Sequence, residues 1–247
     1  MLDGKGLKHS KEVPSVHYWK TDGNRLQTGA SSISSIKVHG NLLPTQARAS
    51  RGRNTTPMCS AGCRSRASLS HIAQACSRTH GARVKRHNAI VNLINEKLRN
   101  LDYQTILEPK IKTSAGLRKP DIIIINCLES WIIDAQILNH YDDPEDLHHL
   151  KKRYYNDPDI IKWVQDKAGC TVVKLTTITF NWRGIMSKTS ASDLKELGIS
   201  ARDLKVAAVR VLELTHACWR QYQCSTYSRR TGLINEWRQR PCQMTVL

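Results

Sequence analysis

Hydrophobic residues recur at helical spacing over residues 84–101. They lie three or four positions apart, which places them on one face of a helix: Val84, Ile90, Val91, Ile94, Leu98 and Leu101. The pattern therefore predicts an amphipathic helix that buries this face against a core.

Four consecutive isoleucines at 122–125 predict a buried strand, since β-branched side chains favour β structure and a continuous apolar run suits a strand covered on both faces. A turn at 126–129 would join it to the next strand. Pro109 lacks an N–H to donate, so the strand around it is expected at an edge or bent. Three further stretches have strand character: 103–112, 131–137 and 170–180.

Start and stop signals predict helices in the second half of the chain. Asp143 before Pro144 suits a helix start, and that helix is expected to reach Tyr155. A second helix follows Pro158 and ends before Gly169. Two more are expected near 190–197 and 201–223. Helices mixed with strands indicate an α/β domain.

Residues 1–57 show no sustained period of either kind, and we expect a largely irregular segment there. It carries a basic cluster at Arg48, Arg51 and Arg53. No run of 18 apolar residues occurs, which predicts no membrane-spanning helix. The first residues lack the apolar core of a secretory signal.

Charge is distributed unevenly over the 247 residues, whose net charge is +17. Residues 1–100 hold 17 basic and 4 acidic residues, whereas residues 101–200 hold 13 and 14. A basic first part points to an anionic partner, most often nucleic acid. A basic tail on an ordinary domain is the simpler alternative. Charge alone also does not distinguish nucleic acid from an acidic membrane surface as the anionic partner.

Cysteine and histidine cluster between residues 59 and 76. Four soft or borderline ligands with the spacing C-x3-C-x7-H-x4-C suit tetrahedral zinc: Cys59, Cys63, His71 and Cys76. His80 and His87 are alternatives to His71, and a disulfide or a chance cluster would be the non-metal explanation. The other cysteines show no paired spacing and are expected as free thiols: Cys127, Cys170, Cys218, Cys224 and Cys242.

Two carboxylates are expected to meet across the strands. If 126–129 form the turn, Asp121 lies opposite Asp134, about 5 Å away between Cβ atoms. Such a pair suits Mg²⁺ or Mn²⁺, which prefer hard oxygen ligands. The alternative is that Asp121 only follows a turn-forming proline and that Asp134 pairs with an arginine.

Lys119-Pro120-Asp121, followed after twelve residues by Asp134-Ala135-Gln136, resembles the active site of the PD-(D/E)XK nuclease superfamily. Its position after the Cys/His cluster resembles the restriction-like-endonuclease class of non-LTR retrotransposon proteins, of the R-two type. Further stretches similar to that class are 43–48, 51–53, 78–88 and 182–184. The resemblance covers roughly residues 40–227.

This resemblance implies an α/β fold: a restriction-endonuclease-like core with a mixed central sheet flanked by helices, preceded by a small CCHC zinc knuckle. The superfamily lysine expected two residues after the second acid is Gln136 here. In this class the following helix supplies the lysine, which makes Lys151 and Lys152 the candidates. Glu96 and Glu108 are possible further acids.

The implied function is a Mg²⁺-dependent nuclease that nicks target DNA to prime reverse transcription of the element's RNA in the nucleus. Its partners would be target DNA, element RNA and an upstream reverse transcriptase domain of the same polyprotein, with no membrane. The residues expected to contact nucleic acid are basic or aromatic: Arg51, Arg53, Arg64, Arg66, Arg78, Arg83, Lys85, Arg86, Lys119 and Tyr154.

Four regions follow from this interpretation: a basic linker at 1–57, the zinc knuckle at 58–83, the endonuclease at 84–227 and a tail at 228–247. Two alternatives remain, a nucleic-acid-binding module with an inactive nuclease and a host nuclease or resolvase of the same superfamily. No polymerase-type pair of aspartates is apparent, so the chain is expected to be a fragment of a longer polyprotein.

Overall fold

A computed structural model describes residues 4–22 and 25–231, with side chains as far as Ser225. A four-stranded mixed sheet has the order β1-β4-β5-β6, and a separate hairpin pairs β2 with β3. The strands are β1 Gln104–Leu107, β2 Ile111–Thr113, β3 Gly116–Arg118, β4 Ile122–Ile125, β5 Glu129–Leu138 and β6 Val172–Asn181. β4 is antiparallel to β1 and β5, and β5 is parallel to β6.

Eight α-helices accompany the sheet in the described part of the chain. They are α1 Gly29–His39, α2 Gln46–Ala49, α3 Leu69–Gln74, α4 His80–Asn100, α5 Pro144–Tyr155, α6 Pro158–Ala168, α7 Lys188–Glu196 and α8 Ala201–Thr231. Together with the sheet they form a mixed α/β fold, which confirms the expected class.

The two faces of the sheet bury different helices. On one face, Ile122, Ile124 and Ile133 pack with residues of α4, α7 and α8. On the other, Ile123 and Ile132 pack with Tyr155 of α5 and with α6. The alternation of strand side chains produces this division, and it turns Asp121 and Asp134 towards the α5 side.

Most elements predicted from the pattern are confirmed. The amphipathic helix is α4, and α5 starts after the Asp143 cap, whose side chain accepts a hydrogen bond from Glu145 N–H. Gly169 ends α6 in the left-handed conformation that glycine favours. The strand expected over 103–112 is interrupted: β1 lies at the sheet edge, and Glu108, with φ of 48°, precedes the break at Pro109.

The segment 1–57, expected to be largely irregular, contains helical structure. Two 3-10 helices, Lys5–Leu7 and Pro14–Lys20, precede α1 and α2. Val16 and Trp19 are buried in two core clusters that also contain α8 side chains. Among the described residues this segment therefore packs against the α/β domain.

The stretch 182–184 makes a tight turn after β6. Gly184 has φ of 78°, which a residue without Cβ adopts without strain, and an added Cβ would lie 3.2 Å from Leu212. Trp182 is fully buried and donates through Nε1 to His140 Nδ1 at 3.0 Å. The turn thereby links the end of the sheet to α8.

α8 continues to Thr231, beyond the end predicted at residue 223. Residues 232–247, which include Cys242 and most of the predicted tail, lie outside the described residues. Of the helices described, none combines the length and the apolar character needed to cross a bilayer.

Candidate active site and metal centre

Asp121 and Asp134 meet at one end of the β4–β5 pair. The register Ile122↔Ile133 places Asp121, one residue before β4, opposite Asp134. Both side chains are buried, with 7% and 4% of their residue surface exposed. Asp121 Oδ2 accepts the Ala135 backbone N–H at 2.7 Å, which fixes its carboxylate beside β5. The structure therefore brings the two predicted acids together.

Lys151 of α5 completes a triad with these acids. Its Nζ lies 2.8 Å from Asp134 Oδ2. The ammonium also lies near the rings of Tyr154 and Tyr155, at 5.8 and 5.5 Å from their centroids. Arg118 covers Tyr154 at 4.6 Å, so cationic and aromatic groups flank the carboxylates.

Lys152, the other candidate lysine, turns to a different carboxylate. Its Nζ lies 3.6 Å from Asp193 Oδ2 of α7. The sequence leaves the two lysines equivalent, whereas the helix phase of α5 separates them by about 100°. Of the two, the structure places Lys151 at the paired acids.

The buried acids influence each other electrostatically. Burial raises the pKa of the Asp134 carboxyl, and the negative charge of Asp121 raises it further, while Lys151 acts in the opposite direction. Two carboxylates in this arrangement repel each other unless a cation or proton lies between them. Their oxygens are the ligands that Mg²⁺ and Mn²⁺ prefer, so the donor set fits the expected ion.

His87 of α4 contacts one of these acids, Asp121. Its Nε2 lies 3.3 Å from Asp121 Oδ2 and 3.2 Å from the Ala135 carbonyl oxygen. The hydrogen bond to Asp121 raises the pKa of His87 to about 9. The sequence suggested His87 only as an alternative zinc ligand, and nothing in its spacing pointed to the sheet.

Glu108 and Lys119 lie at the edge of the site. Glu108 N–H donates to the Asp121 carbonyl oxygen, and its side chain pairs with Lys119 at 2.6 Å. Both side chains are about half exposed. Glu96 is exposed on α4, nine residues and about 13 Å of helix beyond His87. Of the two possible further acids, only Glu108 is thus adjacent to Asp121.

The four predicted zinc ligands converge on one point. The ligand atoms of Cys59, Cys63, His71 and Cys76 all lie within 4.8 Å of one another. Cys76 Sγ is 3.7 Å from Cys59 Sγ and 3.9 Å from Cys63 Sγ. Tetrahedral zinc with Zn–S bonds of about 2.3 Å separates two sulfurs by about 3.8 Å, so this group could bind zinc.

Two further observations fit a metal in this cluster. His71 Nε2 is buried and, within the part of the chain that the structure describes, has no hydrogen-bond partner. Burial raises the pKa of the Cys76 thiol to about 12, so a thiolate there needs a cation to stabilise it. Of the three histidines considered, His71 is the one in the cluster.

Basic side chains lie near the cluster in the sequence. Among the predicted basic contacts in residues 51–86, the exposed ones are Arg51, Arg53, Arg64, Arg66 and Lys85. A cleft of about 810 Å³ between α2 and α3 is lined by Arg48, Arg51, Arg66 and His71. Positive charge is thus concentrated beside the Cys3His group.

Three arginines predicted to bind nucleic acid hold the fold together. Arg78 donates to the Ser60 carbonyl oxygen at 2.6 Å and Arg83 to that of Cys76 at 3.3 Å, both within the Cys/His region. Arg86 is buried and donates to Thr215 Oγ1 at 2.7 Å and to the Ala73 carbonyl oxygen at 2.9 Å. Because it is buried, Arg86 is not exposed to contact nucleic acid.

Comparison with known proteins identifies relatives over most of the chain. It is 33% identical over 92% of its length to the Pol polyprotein from type-2 retrotransposable element R2DM of Drosophila melanogaster. The Pol polyprotein from type-1 retrotransposable element R2 of Nasonia vitripennis is 32% identical over 91%, and that of Bradysia coprophila is 30% identical over 81%. The homologues of this chain are R2 retrotransposon Pol polyproteins. No protein-family model matches the sequence.

The chain spans about a fifth of the length of these R2 relatives. The covered share of each relative is 22%, 22% and 23%, in the order given. The R2-type resemblance inferred from the motifs is thereby confirmed. The homology favours a retrotransposon origin over a host nuclease or resolvase. The matched part of the chain includes both the Cys3His group and the paired acids.

Two residues of the site were not predicted from the sequence. His87 contacts Asp121, and Gln136, which the motif marked only as a missing lysine, donates to the Leu147 carbonyl oxygen of α5 and to Thr179 Oγ1. These three contacts each join two different elements, so no local spacing predicts them.

Proposed function

We propose that this part of an R2-type polyprotein is a Mg²⁺-dependent DNA endonuclease of the PD-(D/E)XK type. The observation that carries the proposal is the meeting of Asp121, Asp134 and Lys151, with Lys151 Nζ at 2.8 Å from Asp134 Oδ2. Two acids on adjacent strands and a lysine beside them are the groups that phosphodiester hydrolysis with a bound cation requires.

In this proposal Asp121, just before β4, and Asp134, in the middle of β5, hold Mg²⁺ or Mn²⁺. A bound Mg²⁺ supplies the positive charge that stabilises the phosphodiester as it is attacked. The mutual repulsion of the buried carboxylates, which contributes to the raised pKa of Asp134, is relieved by such a cation.

Lys151 acts on the substrate from the α5 side. Its ammonium has three N–H donors, so one can remain on Asp134 while another meets a phosphate oxygen or orients the attacking water. Tyr154 and Arg118 beside it, and Lys119 at the edge, would contact the sugar-phosphate backbone. These contacts position the protein on the duplex. The attraction between basic side chains and phosphates gives an affinity that does not depend on the DNA sequence.

The Cys3His group is proposed to bind zinc and to grip nucleic acid. Metal binding would supply much of the folding energy of this short loop. The exposed arginines and the cleft beside α3 provide the phosphate contacts. Target DNA and element RNA are the proposed partners, alongside a reverse transcriptase domain elsewhere in the polyprotein, and the nucleus is the proposed place of action.

A nick that primes reverse transcription must leave a 3′-hydroxyl. The purified protein is therefore incubated with supercoiled plasmid and Mg²⁺, and the product is offered to a DNA polymerase with labelled nucleotides. Relaxed, polymerase-extendable circles in Mg²⁺ and intact plasmid in EDTA are expected. Nicked circles that cannot be extended would contradict the priming role.

Tight binding to the plasmid without any nicking would favour the second candidate, a nucleic-acid-binding module with an inactive nuclease. The basic cleft is the observation that favours that candidate, since binding of nucleic acid in the cleft requires no chemistry at Asp121 and Asp134.

A further inference from the structure

Gln136 occupies a junction between the sheet and α5. It lies two residues after Asp134 on β5, and because strand side chains alternate, both face α5. Its Nε2 donates to the Leu147 carbonyl oxygen at 3.0 Å and to Thr179 Oγ1 at 2.8 Å. One amide group thus ties β5 to both β6 and α5.

The backbone carbonyl group that Gln136 contacts lies one helical turn before Lys151. In an α-helix the N–H of residue i bonds to the carbonyl of residue i−4, so the Leu147 oxygen also accepts the Lys151 N–H. A carbonyl oxygen has two lone pairs and accepts both bonds. Gln136 therefore holds the helical turn that carries Lys151.

A second anchor lies one turn beyond Lys151. The Tyr155 hydroxyl donates to the Lys119 carbonyl oxygen at 3.1 Å, next to the Pro120-Asp121 pair. Lys151 is thus midway between two anchored residues, Leu147 and Tyr155, four positions on either side. Rotation or sliding of α5 on the sheet would have to break one of these bonds.

Polar bonds hold α5 because its buried face has few apolar groups. Only Pro144, His148 and Tyr155 are buried in this helix. His148 Nδ1 lies 2.7 Å from Thr177 Oγ1, which is 2.6 Å from Thr179 Oγ1, the acceptor of Gln136. The position of α5 therefore depends on a buried hydrogen-bond network, in which Gln136 is the member that bonds to the Leu147 carbonyl oxygen of α5.

We propose that Gln136 is a positioning residue of the nuclease site. It fixes α5 so that the Lys151 ammonium meets Asp134 and the reacting phosphate, and it makes no contact with substrate itself. This inference rests on the proposed function, because it assigns Gln136 a role in hydrolysis through Lys151.

The test is a double-mutant cycle in the full chain. Gln136→Met keeps the side-chain length and removes the donor, Lys151→Ala removes the ammonium, and the third variant carries both changes. Gln165→Met is the matched control, since Gln165 of α6 donates through Nε2 to the carbonyl oxygen of Thr171 before β6, outside the network that Gln136 joins. Each variant is measured for single-turnover nicking in Mg²⁺ and for duplex affinity in Ca²⁺.

Gln136→Met is expected to slow nicking about tenfold, a partial loss of the contribution of one preorganised donor, with duplex affinity unchanged within about twofold. In the Lys151→Ala background the same change should have little further effect, about twofold or less, since the two residues act as one unit. Gln165→Met should behave as wild type. Losses that multiply across the two backgrounds, or full activity of Gln136→Met, would overturn the proposal.

Amide hydrogen exchange of the α5 peptide, measured without DNA, separates this inference from the proposed function. Faster exchange in Gln136→Met together with a wild type that does not nick would refute the nuclease and leave the anchoring of α5 supported. Unchanged exchange over Pro144–Tyr155 would refute the anchoring, whatever the activity.

Discussion

Lys151 and Lys152 are neighbours in the chain, yet their ammonium groups face different carboxylates. Lys151 lies at Asp134, whereas Lys152 lies at Asp193 of α7. This adjacent pair is a natural control, since either substitution removes one positive charge from the same turn of α5.

Lys151→Ala is expected to reduce the single-turnover nicking rate by about 10²- to 10³-fold, the effect of removing one preorganised donor at the reacting phosphate. Lys152→Ala should stay within about threefold of wild type. The rates are measured on end-labelled duplex at saturating protein. Equal losses in both variants would mean that only the net charge of α5 matters.

His39 is a buried residue whose protonation depends on its surroundings in the core. Its ring lies at the end of α1, with Nδ1 2.8 Å from the Arg183 carbonyl oxygen, while Arg183 Nε donates back to the His39 carbonyl at 2.7 Å. Burial, with a smaller contribution from the charge of Lys20, lowers the pKa of His39 to about 3. The folded protein therefore holds this imidazole neutral.

The unfolded chain binds a proton at this histidine below its ordinary pKa of about 6.5. Stability should therefore fall as the pH decreases below 6.5, by up to about 1.4 kcal/mol per pH unit from this group. His39→Asn, which retains a donor, should flatten the dependence of the denaturation midpoint on pH between 7 and 5. The exposed His149→Asn serves as control, and identical slopes in all three proteins would argue against a neutral His39.

At the scale of elements, the Cys3His group is fastened to α8. The Tyr222 hydroxyl lies 3.3 Å from Ser60 Oγ, and Gln221 donates to the Arg78 carbonyl oxygen at 2.6 Å. Trp219 Nε1 donates to the Pro44 carbonyl oxygen at 3.0 Å. The residues around the proposed zinc are thus part of the folded body rather than a separate arm.

Loss of zinc should therefore destabilise more than the loop itself. Cys63→Ser is expected to lower zinc content and to lower the free energy of unfolding by at least about 2 kcal/mol, or about 4–8 °C in Tm. Amide exchange should increase around Pro44 and Trp219 as well as in residues 59–76. Metal analysis and thermal unfolding check this expectation.

Cys127→Ser is the matched control, because Cys127 is exposed on the turn between β4 and β5. A Cys63→Ser protein that retained one zinc and the Tm of the Cys127→Ser control would contradict the assignment of the ligand set.

The elements whose hydrophobic pattern is strong were predictable, and α1 was not. The buried residues of α1 are Ser35, Val38 and His39, while Ile33 and Ile36 are exposed. Its apolar positions therefore do not mark its buried face, and a search for periodicity passes over it. The paired acids were predictable because a short turn fixes the register of β4 and β5.

The remainder of the site depends on contacts between different elements. His87 of α4 reaches Asp121, and Gln136 of β5 reaches the Leu147 carbonyl oxygen of α5. In the sequence, neither residue differs in type or spacing from a residue whose side chain only packs against its neighbours. The choice of Lys151 over Lys152 likewise needs the orientation of α5, which a sequence pattern leaves open.

On the scale of the whole molecule, the net charge of +17 is localised. Residues 1–100, which include the exposed arginines beside the Cys3His group, hold 17 basic and 4 acidic residues, whereas the acids that would hold a cation lie at the sheet. The molecule thus separates a basic surface, where we propose that nucleic acid binds, from the buried acids of the proposed nuclease site.

Binding to duplex DNA should weaken steeply with salt, because neutralised phosphates release counterions. Arg64→Ala is expected to lower affinity and to reduce the slope of log K against log salt by about one, if Arg64 makes one phosphate contact. Arg202→Ala at the start of α8 should leave the slope unchanged. Fluorescence anisotropy over a salt series measures both, and equal slopes in wild type and Arg64→Ala would exclude that contact.

Asp121 and Asp134 are proposed to hold the cation for DNA cleavage. This role is tested by the single-turnover nicking rate in Mg²⁺ of Asp134→Asn, compared with wild type at equal folded fraction. The substitution keeps the shape of the side chain and removes the charge, so the rate is expected to fall by at least about 10²-fold. A folded Asp134→Asn protein that nicks duplex DNA at the wild-type rate would contradict it.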